Sequence, residues 1–176
     1  MTALYGLRGV DGKKLAWPLL ELAAGEFWGW TALPPVERSP RGKPLFAGLE
    51  RRWFSLSHSG GIALCALSDA PVGVDVELVR PRRANLPAYA LSPAEQAGFD
   101  GSWEEFYRLW TLKESWCKLG DTPLYPPRAV PTPPPCPHRS YAGAGWRAAV
   151  CCADTPPEAI RWFRPCAEGN LVVESR

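Results

Sequence analysis

The chain has 176 residues, enough for one sizeable core or two small ones sharing an interface, and its apolar and charged fractions, 46% and 22%, are those of an ordinary globular protein. With 20 basic against 18 acidic side chains, neither nucleic-acid nor membrane affinity follows from net charge, so any anion site must be local. Met1 to Lys14 lacks a basic segment followed by an apolar one, and no stretch approaches the ~18 apolar residues of a membrane span, so a cytoplasmic location is expected. The six cysteines (Cys65, Cys117, Cys136, Cys151, Cys152, Cys166) show no C-x-x-C spacing and are expected to be free, mostly buried thiols rather than zinc ligands.

In chain order, Leu4 to Leu7 reads as a first strand, and Trp17-Pro18 opens a helix running towards Phe27, since proline is best tolerated at a helix start. Phe54 to His58 and Ile62 to Leu67, separated by Ser59-Gly60-Gly61, form a hairpin candidate, and Val72 to Val79 is the next strand. Capping-box patterns at Ser92-Pro-Ala-Glu95 and Ser102-Trp-Glu-Glu105 start two helices, the second stopping at Gly120. Eight of the 20 prolines fall between Pro123 and Pro137, which makes that segment an irregular connection. Trp146 to Cys152, Ile160 to Phe163 and Leu171 to Val173 supply closing strands. Helices packed on mainly antiparallel sheets give an α+β fold.

Two stretches carry the chemistry. In Gly73-Val-Asp-Val-Glu77 an extended backbone puts Asp75 and Glu77 on one face and Val74, Val76 and Leu78 on the other, so the carboxylates could share one hard cation. In Trp110-Thr-Leu-Lys-Glu-Ser-Trp-Cys-Lys118 helical spacing stacks Glu114 and Lys118 one turn apart, with Lys113 about 100° round the helix. Singly, each has a bland reading: a solvated strand face, and a surface Glu–Lys pair worth a few tenths of a kcal/mol.

Together, and in this order, they resemble the G-[VI]-D-x-E and W-[ST]-x-K-E-[SA]-x-x-K signatures of the 4′-phosphopantetheinyl transferases of the surfactin-synthetase-activating type. Gly42-Lys43-Pro44 and Phe54-Ser-Leu-Ser-His-Ser-Gly60 are similar to that family's G-K-P and F-x-x-S-H-S-G segments, and the likeness runs from about Lys13 to Cys152. The resemblance implies two similar halves related by a pseudo-twofold axis with the active site between them. Residues 1–70 would carry the G-K-P and S-H-S-G elements, and 71–176 the metal site and the motif helix.

The activity it implies is transfer of the phosphopantetheinyl arm of coenzyme A to a serine of an apo acyl or peptidyl carrier protein, with release of adenosine 3′,5′-bisphosphate. Magnesium is then expected on Asp75, Glu77 and Glu114, with Glu114 also accepting the serine proton directly or through a water, and Lys118 neutralising charge on the pyrophosphate. Ser57, His58 and Lys43 are implied to bind coenzyme A phosphates. Lys113 is either a second phosphate contact or a structural ion-pair partner.

Compared with the family pattern, a basic segment near Lys14 and strand structure between Leu124 and Trp146 look shortened. Lys13, Lys14 or Arg8 are candidates to meet the adenosine 3′-phosphate, and a loop is expected before Trp146. The chain is expected to act as a monomer. A non-catalytic coenzyme A or carrier-binding protein of the same fold is the alternative, disfavoured by the intact set of Asp75, Glu77, Glu114 and Lys118.

Overall fold

The structure is a computed structural model that describes residues 1–9, 11–165 and 171–173. It is a mixed α+β arrangement in which two sheets, each covered by one long helix, meet at a common core. The first sheet has the order β10-β9-β1-β5-β4, from β1 (Thr2–Arg8), β4 (Trp53–Ser59), β5 (Ile62–Ser68), β9 (Arg161–Pro165) and β10 (Leu171–Val173). β1 pairs antiparallel with β5 and parallel with β9. This sheet therefore draws strands from both ends of the chain.

Helix α1 (Gly12–Trp28) covers that sheet, burying Leu19, Leu20 and Ala23 against Tyr5, Leu7, Phe54 and Leu67. It starts earlier than Trp17-Pro18, so Pro18 lies inside it. An internal proline costs about 3 kcal/mol, but Asp11 caps the first turn by accepting from Lys13 N at 3.0 Å, and Pro18 sits on the exposed side, where the carbonyl it leaves unpaired can meet water. Burial of the inner face outweighs the defect.

The second sheet is antiparallel, in the order β6-β8-β7, from β6 (Val72–Leu78), β7 (His138–Gly143) and β8 (Trp146–Cys152). Val72, Val74 and Val76 pack with Leu4, Leu64 and Ala66 of the first sheet, so the apolar face of β6 is the floor shared by both sheets. Helix α4 (Trp103–Gly120) lies on the other face. Its N-cap Ser102 accepts from Glu105 N, and Asp121, at φ 49, ends the helix one residue beyond the expected glycine stop. The box at Ser92 forms in full and starts the short α3 (Pro93–Ala97).

Further elements escaped the sequence pattern. β2 (Val36–Arg38) and β3 (Pro44–Phe46) make a separate ribbon, and α2 (Leu86–Ala90) is a single turn opened by Pro87. β7 occupies part of the stretch expected to be a loop before Trp146, because pairing along β8 satisfies its backbone despite weak strand composition. The β4–β5 turn uses Gly60 and Gly61 alone, with Gly60 at φ 55, and Ser59 belongs to the strand. Within the proline tract the only helical turn is Pro127–Ala129. Cys65, Cys117, Cys136, Cys151 and Cys152 are free thiols, while Cys166 lies outside the described residues. Among the described residues no helix is long and apolar enough to cross a membrane.

Candidate active site

The alternation of β6 holds: its valines face the core, and Gly73, Asp75 and Glu77 face α4 and β4. Gly73 is what lets α4 lie directly on the strand. A Cβ there would stand 2.0 Å from Ser115 O and 2.4 Å from Leu119 N, both backbone atoms of the helix. This close seating brings Glu114 and Lys118 up to Asp75.

Asp75 is buried, and its Oδ1 receives Lys118 Nζ at 2.7 Å and Ser57 Oγ at 2.8 Å. Ser57 Oγ also accepts from Val76 N at 3.2 Å and from Lys118 Nζ at 3.1 Å, which engages its single donor and both acceptors. Glu77 is half-buried and accepts from Ser59 Oγ at 2.8 Å. Burial is the main force raising its carboxyl above the usual range, with a contribution from Asp75. Glu114 is pushed up to about 7, first by burial and then by the charges of Asp75 and Glu77, against the opposing pull of Lys118.

The three carboxylates thus sense one another electrostatically. Yet among the described residues no trio of His, Cys, Asp or Glu is grouped closely enough to hold a metal ion as it stands. Asp75 and Glu77 are turned to protein partners, and Lys118 supplies the positive charge. One observation favours a cation all the same: Asp75 Oδ2 is buried with no hydrogen-bond partner. A buried carboxylate oxygen without a donor is costly, and a hard divalent ion with oxygen ligands would satisfy it while relieving the repulsion that raises Glu114.

Cavities flank this cluster on either side. One, of about 290 Å³, is lined by Arg41, Lys43, Glu114, Lys118 and Asp121. The other, about 600 Å³ and more aromatic, is lined by Glu77, Arg82, Arg83, Tyr89, Tyr107 and Trp110. Arg82, whose Nε donates to the Tyr107 hydroxyl at 3.1 Å, stands beside the site without any motif to mark it.

The expected phosphate contacts scatter. His58 is exposed on β4, and Lys14 is exposed on α1, 4.0 Å from Asp11. Lys43 turns its ammonium onto backbone carbonyls, Lys118 O at 2.5 Å, Leu119 O at 3.2 Å and Val72 O at 3.3 Å, and so ties the end of α4 and the start of β6 to the β2–β3 ribbon. Burial brings its pKa down to about 8. Lys113 is not part of the cluster. Its side chain is fully buried, pairs with Glu95 at 2.9 Å and donates to Pro127 O and Val130 O, so of the alternatives read from the sequence it takes the structural ion pair.

The sequence gives Ser55 and Ser59 no role in the site, although alternate serines at 55, 57 and 59 of a strand must share one face. That period was the available signal.

The sequence model of the 4′-phosphopantetheinyl transferase superfamily matches residues 71–130, the segment that holds Asp75, Glu77, Glu114 and Lys118. A 4′-phosphopantetheinyl transferase of Bacillus subtilis is 34% identical over 82 residues, covering 44% of this chain and 37% of the relative. The Escherichia coli 4′-phosphopantetheinyl transferase AcpT is 41% identical over 95 residues, 49% of this chain and 48% of the relative. The Bacillus subtilis 4′-phosphopantetheinyl transferase Sfp is 33% identical over 82 residues, 44% and 37% of the respective chains. The matched stretches thus span about half or less of the length of these relatives.

Proposed function

We propose that this chain, whose residues 71–130 match the 4′-phosphopantetheinyl transferase superfamily, transfers the phosphopantetheinyl arm of coenzyme A to a serine of an apo acyl or peptidyl carrier protein. The observation that carries the reading is the meeting of Asp75, Glu77, Glu114 and Lys118 from separate elements at a point flanked by cavities. The pairing of α1 with one sheet and α4 with the other supports two similar halves about a pseudo-twofold axis. Residues 1–70 and 71–176 would be those halves, with β9 and β10 lending strands to the first.

In the reaction the serine oxygen forms a bond to the phosphorus that bears the pantetheine arm. The bond from that phosphorus to the bridging oxygen breaks, and adenosine 3′,5′-bisphosphate leaves. Asp75 and Glu77, with Glu114, are the residues that would hold magnesium, and their all-oxygen donor set suits it. When bound, that ion supplies charge neutralisation at the pyrophosphate. Glu114, which lines the smaller cavity beside Lys118, is suited to take the serine proton directly or through a water. Lys118 opens onto the smaller cavity, where its ammonium would meet negative charge building on the leaving phosphate. His58, Lys14 and Arg41 would contribute further cationic or donor groups to the nucleotide end. Ser57 would first have to release Asp75 or Lys118 to reach a phosphate.

The test is to incubate the protein with magnesium, coenzyme A and a panel of apo carrier proteins, and to look by mass spectrometry for the added arm. Modification of at least one carrier at its serine is expected. Binding of coenzyme A without transfer to any carrier would replace this reading with that of a binding protein.

A further inference from the structure

β4 and β6 run side by side, yet they belong to different sheets. Serine side chains take the place of backbone pairing. Ser55 Oγ accepts from Val74 N at 3.0 Å, Ser57 Oγ from Val76 N at 3.2 Å and Ser59 Oγ from Leu78 N at 3.1 Å. Each hydroxyl thus satisfies one edge N–H of β6 and keeps its own proton to donate. Ser57 and Ser59 spend that proton on Asp75 and Glu77, whereas Ser55 has no carboxylate opposite it.

We propose that Ser59 is a positioning residue for Glu77: it fixes the carboxylate before any cation arrives. The inference rests on the transferase reading above. A serine hydroxyl rotates freely when exposed, but accepting the Leu78 N–H fixes where its lone pair points and so aims its proton at Glu77 Oε2, 2.8 Å away. Glutamate has three rotatable bonds, and fixing them in advance removes that ordering cost from ligand capture.

The turn after Ser59 holds the arrangement in register. A Cβ on Gly60 would stand 2.4 Å from Leu78 Cδ1, so the glycine lets the turn press onto the residue whose N–H Ser59 accepts. Gly12 N, donating to Gly60 O at 2.7 Å, pins the same turn from the start of α1.

The test compares Ser59→Ala with Ser55→Ala in the full chain. Both remove a hydroxyl that accepts a β6 N–H, so both should lower the melting temperature. Only Ser59→Ala should weaken Mn²⁺ binding in the presence of saturating coenzyme A, by about tenfold, the scale of removing a group that orients a metal ligand. Ser59→Thr should restore it. Equal Mn²⁺ affinity in Ser59→Ala and wild type, or equal weakening in both alanine variants, would overturn the proposal. If the wild type binds no Mn²⁺ with coenzyme A, the metal reading fails, and the inference is then decided by a crystal structure of Ser59→Ala. A displaced or disordered Glu77 side chain supports it, and an unmoved one overturns it.

Discussion

Lys118 Nζ lies 2.7 Å from Asp75 Oδ1, so a residue of α4 neutralises the buried carboxylate of β6. An ammonium thus holds one oxygen of the carboxylate whose other, unpartnered oxygen would meet a divalent cation, and the two charges oppose each other. Like charges about 4 Å apart near a protein surface repel by about 4 kcal/mol, of which a mobile lysine side chain relieves a large part by swinging away. Lys118→Met should therefore bind Mn²⁺ in the absence of coenzyme A about tenfold more tightly than wild type, while transfer falls. Calorimetric titration reads the affinity; unchanged or weaker binding would contradict that opposition.

The raised carboxyl of Glu114 predicts how stability depends on pH. Its ordinary value is 4.5 and its folded value about 7, so between these the folded protein holds a proton that the unfolded chain has released. Stability from this group is full below about pH 4.5 and is lost as pH rises to about 7, by on the order of 2 kcal/mol. Glu77, raised for similar reasons, adds in the same direction. Urea unfolding at pH 5 and pH 7.5 without divalent ions should show the loss, and Glu114→Gln should flatten most of it. A metal-free wild type equally stable at both values would contradict the assignment.

Gly73→Ala should act on both fold and activity. The added methyl meets backbone at 2.0 and 2.4 Å, which no rotamer change can relieve, so α4 must lift from β6. A loss of about 3 kcal/mol is expected, at the upper end for overpacking, together with reduced transfer because Glu114 and Lys118 ride on the helix. Thermal melting checks the first part; a wild-type melting temperature would mean that the helix does not depend on this contact.

Lys113→Met leaves Glu95 buried without its partner and should cost about 3 kcal/mol in denaturant unfolding. Adding Glu95→Gln should recover part of that loss. Coenzyme A affinity should stay near the wild-type value in Lys113→Met. A selective rise in the coenzyme A dissociation constant, with stability intact, would favour the phosphate-contact reading instead.

Asp75→Ala is expected to abolish transfer and also to cost about 2 kcal/mol, because Lys118 and Ser57 lose their shared acceptor. Glu114→Ala, with no ion pair to break, should abolish transfer at little cost in stability. Glu77→Gln should be milder in activity, since an amide oxygen remains a weak ligand. Mass-spectrometric transfer assays beside melting curves separate these effects, and wild-type turnover by the Asp75 variant would withdraw the residue from the site.

The sequence by itself determined whatever depends on local period. Alternation along Val72 to Leu78 fixed which face carries Asp75 and Glu77, helical spacing placed Glu114 one turn before Lys118, and the Ser92 box marked the start of α3. Only the tertiary structure decided what those faces meet. Lys113 and Glu114 are neighbours in the chain, yet about 100° of helix sends one into a buried pair with Glu95 and the other to the carboxylate cluster. The early start of α1, the β7 pairing and the return of β9 to lie parallel with β1 depend on partners far away in sequence. So does the serine ladder: a strand written Ser-x-Ser-x-Ser shows that three hydroxyls share a face, but only an unpaired β6 edge beside it shows why they are there. Local backbone geometry is carried by each residue and its near neighbours, whereas satisfaction of buried polar groups is settled by whichever surface the fold brings against them.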